Sequence, residues 1–182
     1  MAASSAGMTP CLVPLSAQAE AKRIRNADKR ALFKPFRLQI VEDAYKRKLY
    51  SLFDDCCFAC RTPGRLELDH HIPFRLGGRL VPGNIILLCP KCNNAKLDRH
   101  PSDFYPVGDL AKAALIFEQQ KTLFNFRFDW DRLSTDALAY LLSLGVDQAI
   151  AEAYVAERRE IEAQQIGVTI FVGLDSTDEN KG

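Results

Sequence analysis

No apolar run in this 182-residue chain approaches the roughly 18 consecutive residues that a membrane-spanning helix needs. Lysine and arginine are missing from the first 19 residues. No apolar stretch there is as long as a secretory h-region, so a secretory leader is not expected. The same lack of arginine disfavours an organelle transit peptide. Net charge is only +1, so the total charge names no partner. Histidine is scarce, at three residues, and the chain carries no internal repeat. With neither leader nor membrane span, the six cysteines are expected to sit in the reducing cytoplasm. There, metal binding is favoured over disulfides.

The distribution of charge says more than its sum. Residues 1–50 hold ten Lys/Arg and four Asp/Glu, whereas residues 101–182 hold seven and fourteen. A basic front and an acidic back predict a polyanion-binding face and a separate surface with another task. Residues 1–20 are rich in Ala and Ser, with Pro10 and Pro14, and read as mobile. From Glu20 to Arg37 the chain is strongly basic. Lys22, Arg23 and Arg25 there are candidate nucleic-acid contacts, with a solvated helix face as the alternative. Apolar residues Ile40, Val41, Ala44, Tyr45, Leu49, Leu52 and Phe53 fall at helical spacing.

Further on, Pro101 and Pro106 mark an irregular exit, and Leu110 to Leu123 reads as a helix. Phe124, Phe126, Phe128 and Trp130 alternate, which predicts a short strand or extended clamp whose aromatics act as packing staples. Ser134 or Thr135 can cap a helix to about Ser143. Asp147 can cap another to about Ala163. The stretch from Gly167 to Gly173 is β-prone.

Four cysteines form two tight pairs, Cys57/Cys60 and Cys89/Cys92, separated by 28 residues. Two such knuckles can close a tetrahedron of four thiolates around a structural zinc. Cys56 competes with Cys57, but only Cys57 leaves the two-residue gap to Cys60.

Between the knuckles the sequence predicts a hairpin and a helix. Arg65 to His71 is one strand, limited by Pro73. Gly77 and Gly78 form a turn, Asn84 to Leu88 is the second strand, and a helix starts near Pro90 and runs through Lys96. This places Asp69 and His70 at a strand end and Asn93 in the first turn of the facing helix. The residue types suit metal-assisted hydrolysis of a phosphodiester. Asp69 and Asn93 offer hard oxygen ligands for Mg²⁺ or Mn²⁺. His70 can accept a proton from the attacking water. On a strand, His71 points opposite to His70 and is expected to pack. His100 lies beyond the motif, and Asn94 is a neighbour only.

The run LELDHHIPFRLGG…GNIILLCPKCNNAK resembles the signature of HNH endonucleases, the ββα-metal fold, over roughly Cys57 to Arg99. The resemblance implies His70 as general base, Asp69 and Asn93 as ligands of the catalytic cation, and Asn84 as the brace that orients the base. It also implies that Lys96 is a basic residue touching phosphate. The family cleaves DNA, typically leaving 5′-phosphate and 3′-hydroxyl ends. Colicin-type members carry further histidines on the last helix. Leu97 cannot ligate, so a loosely held, magnesium-like cation is expected here.

The fold class expected is α+β. A ββα-metal (HNH) core with a four-cysteine zinc knuckle pair is flanked by an N-terminal helix and a C-terminal helical extension. The division is a flexible basic segment over 1–36, the core with its lead-in helix over 37–106, and a mainly helical acidic extension over 107–182. Double-stranded DNA is the expected substrate, with the acidic extension available to a protein partner or a second copy. Three readings stand: an active endonuclease, a non-catalytic zinc-dependent nucleic-acid- or protein-binding module, and a nuclease subunit of a larger restriction or antiphage assembly.

Overall fold

Ser16 starts the first described element. Its hydroxyl accepts from the Ala19 N–H and caps helix α1, Ala17–Phe33. The computed structural model describes residues 16–174. The basic stretch expected to be flexible is therefore helical from Ala17 on, and residues 1–15 lie outside the described residues. What fixes α1 is one acidic residue among its bases. Asp28 is buried, accepts two bonds from the Arg79 guanidinium, and also accepts from the Leu80 N–H at 3.3 Å.

A 3₁₀ turn, Lys34–Phe36, leads into helix α2, Gln39–Ser51. Helix α2 buries Val41, Ala44, Tyr45 and Leu49, the face that the apolar spacing foretold. The chain then reverses through Asp54 and Asp55, both in the left-handed region at φ 55° and 54°, a conformation Asp tolerates better than most residues. This reversal delivers the chain to the first cysteine knuckle.

Strands β1, Glu67–His70, and β2, Ile85–Leu88, pair antiparallel. Glu67 faces Leu88 and His70 faces Ile85. All four residues of β2 are buried, so the hairpin sits inside the core with one side of β1 left toward the site. The connection contains a 3₁₀ turn, Phe74–Leu76, closed by Gly77 at φ 85°. Gly78 is dictated by space: a Cβ there would lie 1.8 Å from the Ile72 carbonyl oxygen. Helix α3, Pro90–Lys96, follows β2 directly, which completes the α+β hairpin-and-helix unit.

The C-terminal part is helical: α4 Pro101–Phe104, α5 Val107–Phe124, α6 Trp130–Thr135, α7 Ala137–Ser143 and α8 Gln148–Leu174. Three local expectations change. The aromatic stretch after Phe124 is extended but joins no strand. Phe126 packs 5.1 Å from Phe36 and 4.9 Å from Tyr45 (centroid distances) and so staples the extension to α2, while Phe128 lies 5.5 Å from Tyr140 of α7, within the extension.

Ser134 and Thr135 cap nothing. They lie within α6, and their hydroxyls donate back to the carbonyls of Trp130 and Asp131. The cap of α7 is Asp136, which accepts from the Ala139 N–H. Asp147 does cap α8, accepting from Ala149 and Ile150 N–H. The β-prone run from Gly167 to Gly173 continues this helix. The described sheet has only two strands, paired with each other, and a helix makes its own backbone bonds where no strand edge is offered.

One contact ties the extension to the hairpin. Gln120 of α5 is fully buried. Its Oε1 accepts from the Gly83 N–H at 3.0 Å and its Nε2 donates to the Ile85 carbonyl at 2.8 Å. No helix among the described residues is long and apolar enough to cross a membrane.

Candidate nuclease site and metal centre

The Sγ atoms of Cys57, Cys60, Cys89 and Cys92 all lie within 4.8 Å of one another. Cys60 and Cys89 are 3.8 Å apart. That is the edge expected of a tetrahedron whose corners lie ~2.3 Å from a central zinc. Cys56 is not part of this group. Backbone bonds shape each knuckle. The Cys57 carbonyl accepts from the Arg61 N–H and its N–H donates to the Thr62 carbonyl, while the Cys89 carbonyl accepts from the Asn93 N–H.

The thiols are electrostatically uneven. Contact with Thr62 pushes the Cys60 thiol down to about 6, helped by the neighbouring cysteines. Burial first, and the facing thiols second, push Cys92 upward. Four thiols crowded in this way call for a cation that takes all four as thiolates, and zinc fits the size and the ligand set.

The second cluster lies on the seam between β1 and α3. Glu67 and Asp69 share one face of β1 by the period of two. Asn93 and Lys96 share one face of α3 at i, i+3. The Asn93 amide nitrogen donates to Glu67 Oε2 at 2.9 Å. A carboxylate only accepts, so this bond fixes the amide's orientation and leaves Oδ1 as the free oxygen. Asp69 accepts from the Lys96 ammonium at 2.9 Å, and that ammonium also donates to the His70 carbonyl at 2.6 Å. Burial alone would raise the Asp69 carboxyl. Hydrogen bonds from His70 and Lys96, and the charge of Lys96, outweigh burial and hold it below the usual carboxylate range.

His70 is buried with its Nδ1 3.6 Å from Asp69 Oδ1. Its Nε2 is buried and meets no hydrogen-bond partner in the protein. Asn84 holds the connection beside it. Its Oδ1 accepts from the Ile72 N–H at 2.7 Å, and its Nδ2 donates to the carbonyls of Ile72 and Arg79 at 3.1 and 2.8 Å.

Asp69, His70, Asn84 and Asn93 therefore lie in one neighbourhood, but with partners the sequence did not disclose. Glu67 was missed, although its parity with Asp69 on a strand was a usable signal. Lys96 is a correction. A lysine expected to reach phosphate is 0 % exposed, because its ammonium turns inward to two acceptors. His71 packs as expected, stacked 5.6 Å from Tyr105 and edge-on 4.8 Å from Phe117. Burial, with the charges of Lys96 and His100, pushes it down to about 4. His100 is engaged elsewhere, with Ser102 at the start of α4.

Lys22, Arg23 and Arg25 are exposed on α1. Arg23 is paired with Glu20. The Arg25 guanidinium lies 5.9 Å from the Phe74 ring centroid, and that ring is 6.4 Å from His70, so α1 flanks the site.

Comparison with curated proteins and with solved structures returns no match. The family described as HNH endonuclease matches residues 56–99, a span that holds both knuckles, the hairpin and α3. The four-cysteine cluster and the ββα order of this stretch agree with that match, which covers about a quarter of the chain.

Proposed function

We propose that the chain is a metal-dependent endonuclease that hydrolyses phosphodiester bonds of double-stranded DNA. The observation that supports this reading is the seam between β1 and α3, where His70 Nδ1 lies 3.6 Å from Asp69 Oδ1 and Asn93 bonds Glu67, which shares a strand face with Asp69. Asp69 Oδ1 and Asn93 Oδ1 are hard oxygen donors, and they fit Mg²⁺ or Mn²⁺. Such an ion, when bound, stabilises charge on the phosphate and on the leaving oxygen. His70 Nε2, buried and lacking a protein partner, suits a water as hydrogen-bond acceptor. It would take that water's proton as the water oxygen bonds to phosphorus and the bond to the 3′ oxygen breaks. Asn84 keeps the connection after His70 in place through Ile72 and Arg79. A zinc held by all four cysteines has no open position, and it fixes the spacing of β1 and α3 rather than taking part in the reaction.

Helix α1 supplies Lys22 and Arg25 beside the site as contacts to the DNA backbone. The acidic C-terminal helices suit a protein partner or a second copy, which fits a nuclease within a restriction or antiphage assembly. Zinc held by thiolates fits the cytoplasm. A second reading, a zinc-dependent binding module without catalysis, has the Lys96–Asp69 contact in its favour, because one carboxylate oxygen is already engaged.

Plasmid nicking separates the two. Cleavage is expected to require Mg²⁺ or Mn²⁺ and to fall about 10²–10⁴-fold in His70→Ala, with zinc content unchanged. Full cleavage by that variant would sink the assignment of the base. No cleavage by the unaltered protein with either metal would favour the binding module.

A further inference from the structure

Lys96 is the one lysine among the described residues that is buried, and it is fully so. An ammonium has three donors and no acceptor. Both of its recorded bonds go to adjacent residues of the site: Asp69 through Oδ2, and His70 through its main-chain oxygen. A single cation thus fixes the plane of one carboxylate and the peptide that follows His70.

The bond also divides the carboxylate. Oδ2 belongs to Lys96, while Oδ1 lies on the side of the His70 ring, 3.6 Å from Nδ1. Glu67, the other acidic residue on this strand face, is engaged by Asn93 at 2.9 Å and Arg65 at 3.2 Å. The seam therefore offers a divalent cation less negative charge than its two carboxylates imply.

We propose that Lys96 is a positioning residue of the nuclease centre: it orients Asp69 to bind the divalent cation through Oδ1 alone and weakens that binding in the absence of DNA. The proposal rests on the reading of Asp69 as a cation ligand. The positive charge of Lys96 opposes the incoming ion, and a DNA phosphate supplies the negative charge that is missing. Cation and DNA then bind together, so the site arms only on substrate. A phosphate-contacting lysine would do neither of these things.

The test uses the zinc-loaded full chain with Mn²⁺ alone as probe, read by electron paramagnetic resonance. Lys96→Met keeps an unbranched side chain only one atom shorter and removes the charge. It is expected to bind Mn²⁺ about threefold to tenfold more tightly than the unaltered protein without DNA. Nicking should fall about 10–100-fold at saturating DNA, with KM for DNA and its salt dependence unchanged. If Lys96→Met loses zinc or helical signal, Lys96→Gln carries the same measurements.

Unchanged Mn²⁺ affinity, with nicking lost only in proportion to the folded fraction, would overturn the proposal in favour of a purely structural lysine. A raised KM with a flattened salt slope would overturn it in favour of a phosphate contact. Asp69→Asn separates the underlying reading: if that variant binds Mn²⁺ as the unaltered protein does, Asp69 is not a ligand and the premise fails rather than the role of Lys96.

Discussion

The contact that docks α1 makes a quantitative prediction. Asp28 is 6 % exposed, while the side chain of its partner Arg79 is 56 % exposed. Asp28→Ala removes two charge-assisted bonds to Arg79 and the acceptor of the Leu80 N–H. The freed guanidinium returns to water, which costs little, ~0–1 kcal/mol. The Leu80 N–H does not, since Leu80 is 1 % exposed and its N–H is left unpaired at about 1–3 kcal/mol. The expected total is about 1–4 kcal/mol.

Arg79→Ala leaves that N–H satisfied and uncovers Asp28 to solvent, so it should cost less, about 1–2 kcal/mol. Asp28→Asn keeps an acceptor for Leu80 and should cost about 1 kcal/mol. The Arg79 bonds, outweighing burial, hold the Asp28 carboxyl below its usual range. Its stabilisation is therefore present above the unfolded pKa of about 3.9 and is lost only as pH falls through the lower folded value. The ranking should then be the same at pH 5 as at pH 7. Urea unfolding of the zinc-loaded variants, followed by circular dichroism, measures all three. An Arg79→Ala variant less stable than Asp28→Ala would refute the argument, because it would mean that the salt link and not the satisfied N–H fixes the helix.

Two further outcomes follow from the same geometry. His71 is held at about 4 by burial, below the roughly 6.5 of a free imidazole. The unfolded chain therefore binds more protons than the folded one between those values, and stability is lost as pH falls from 6.5 towards 4. Full burial would make this about 3 kcal/mol, and partial exposure reduces it to on the order of 1 kcal/mol. His71→Phe should flatten the stability profile in that window, and an unchanged profile would remove His71 as its source. Replacing Lys22, Arg23 and Arg25 together with Ala should weaken DNA binding and lower the salt slope by about two. The number is two rather than three because Glu20 already holds Arg23. An unaltered slope would leave these residues as a solvated helix face.

What could be read in the sequence was what neighbouring residues decide. The knuckles, the hairpin between them and the buried face of α2 each carry a spacing that the backbone geometry demands. What could not be read depended on distant partners. Lysine is ordinarily exposed, and nothing near Lys96 in sequence announces that Asp69 and the His70 carbonyl wait 27 and 26 residues upstream. Asp28 gave a fainter signal: an acid set four residues before buried Leu32 belongs to the inward face of α1. The β-prone run from Gly167 to Gly173 is helical, because β propensity has force only where an edge is there to pair with. Ser134 and Thr135 satisfied themselves on their own helix, leaving Asp136 to cap the next one.

The buried glutamine of α5 bears on how this domain can be cut and moved. Residues 56–99 carry the family pattern, yet the two backbone groups on either side of Asn84 are satisfied by Gln120, 21 residues past the end of that pattern. A fragment ending at the pattern's edge would keep Asp69, His70, Asn84 and Asn93 and still lose the two bonds that flank Asn84. Removing α5 opens the Gly83 N–H and the Ile85 carbonyl to water, so each lost bond costs about 0.5–1.5 kcal/mol. The smallest unit that keeps these bonds is therefore not the motif but the motif with α5 and with α1, whose Asp28 satisfies the Leu80 N–H, and grafts into other proteins should be drawn from Ala17 through Phe124 at the least.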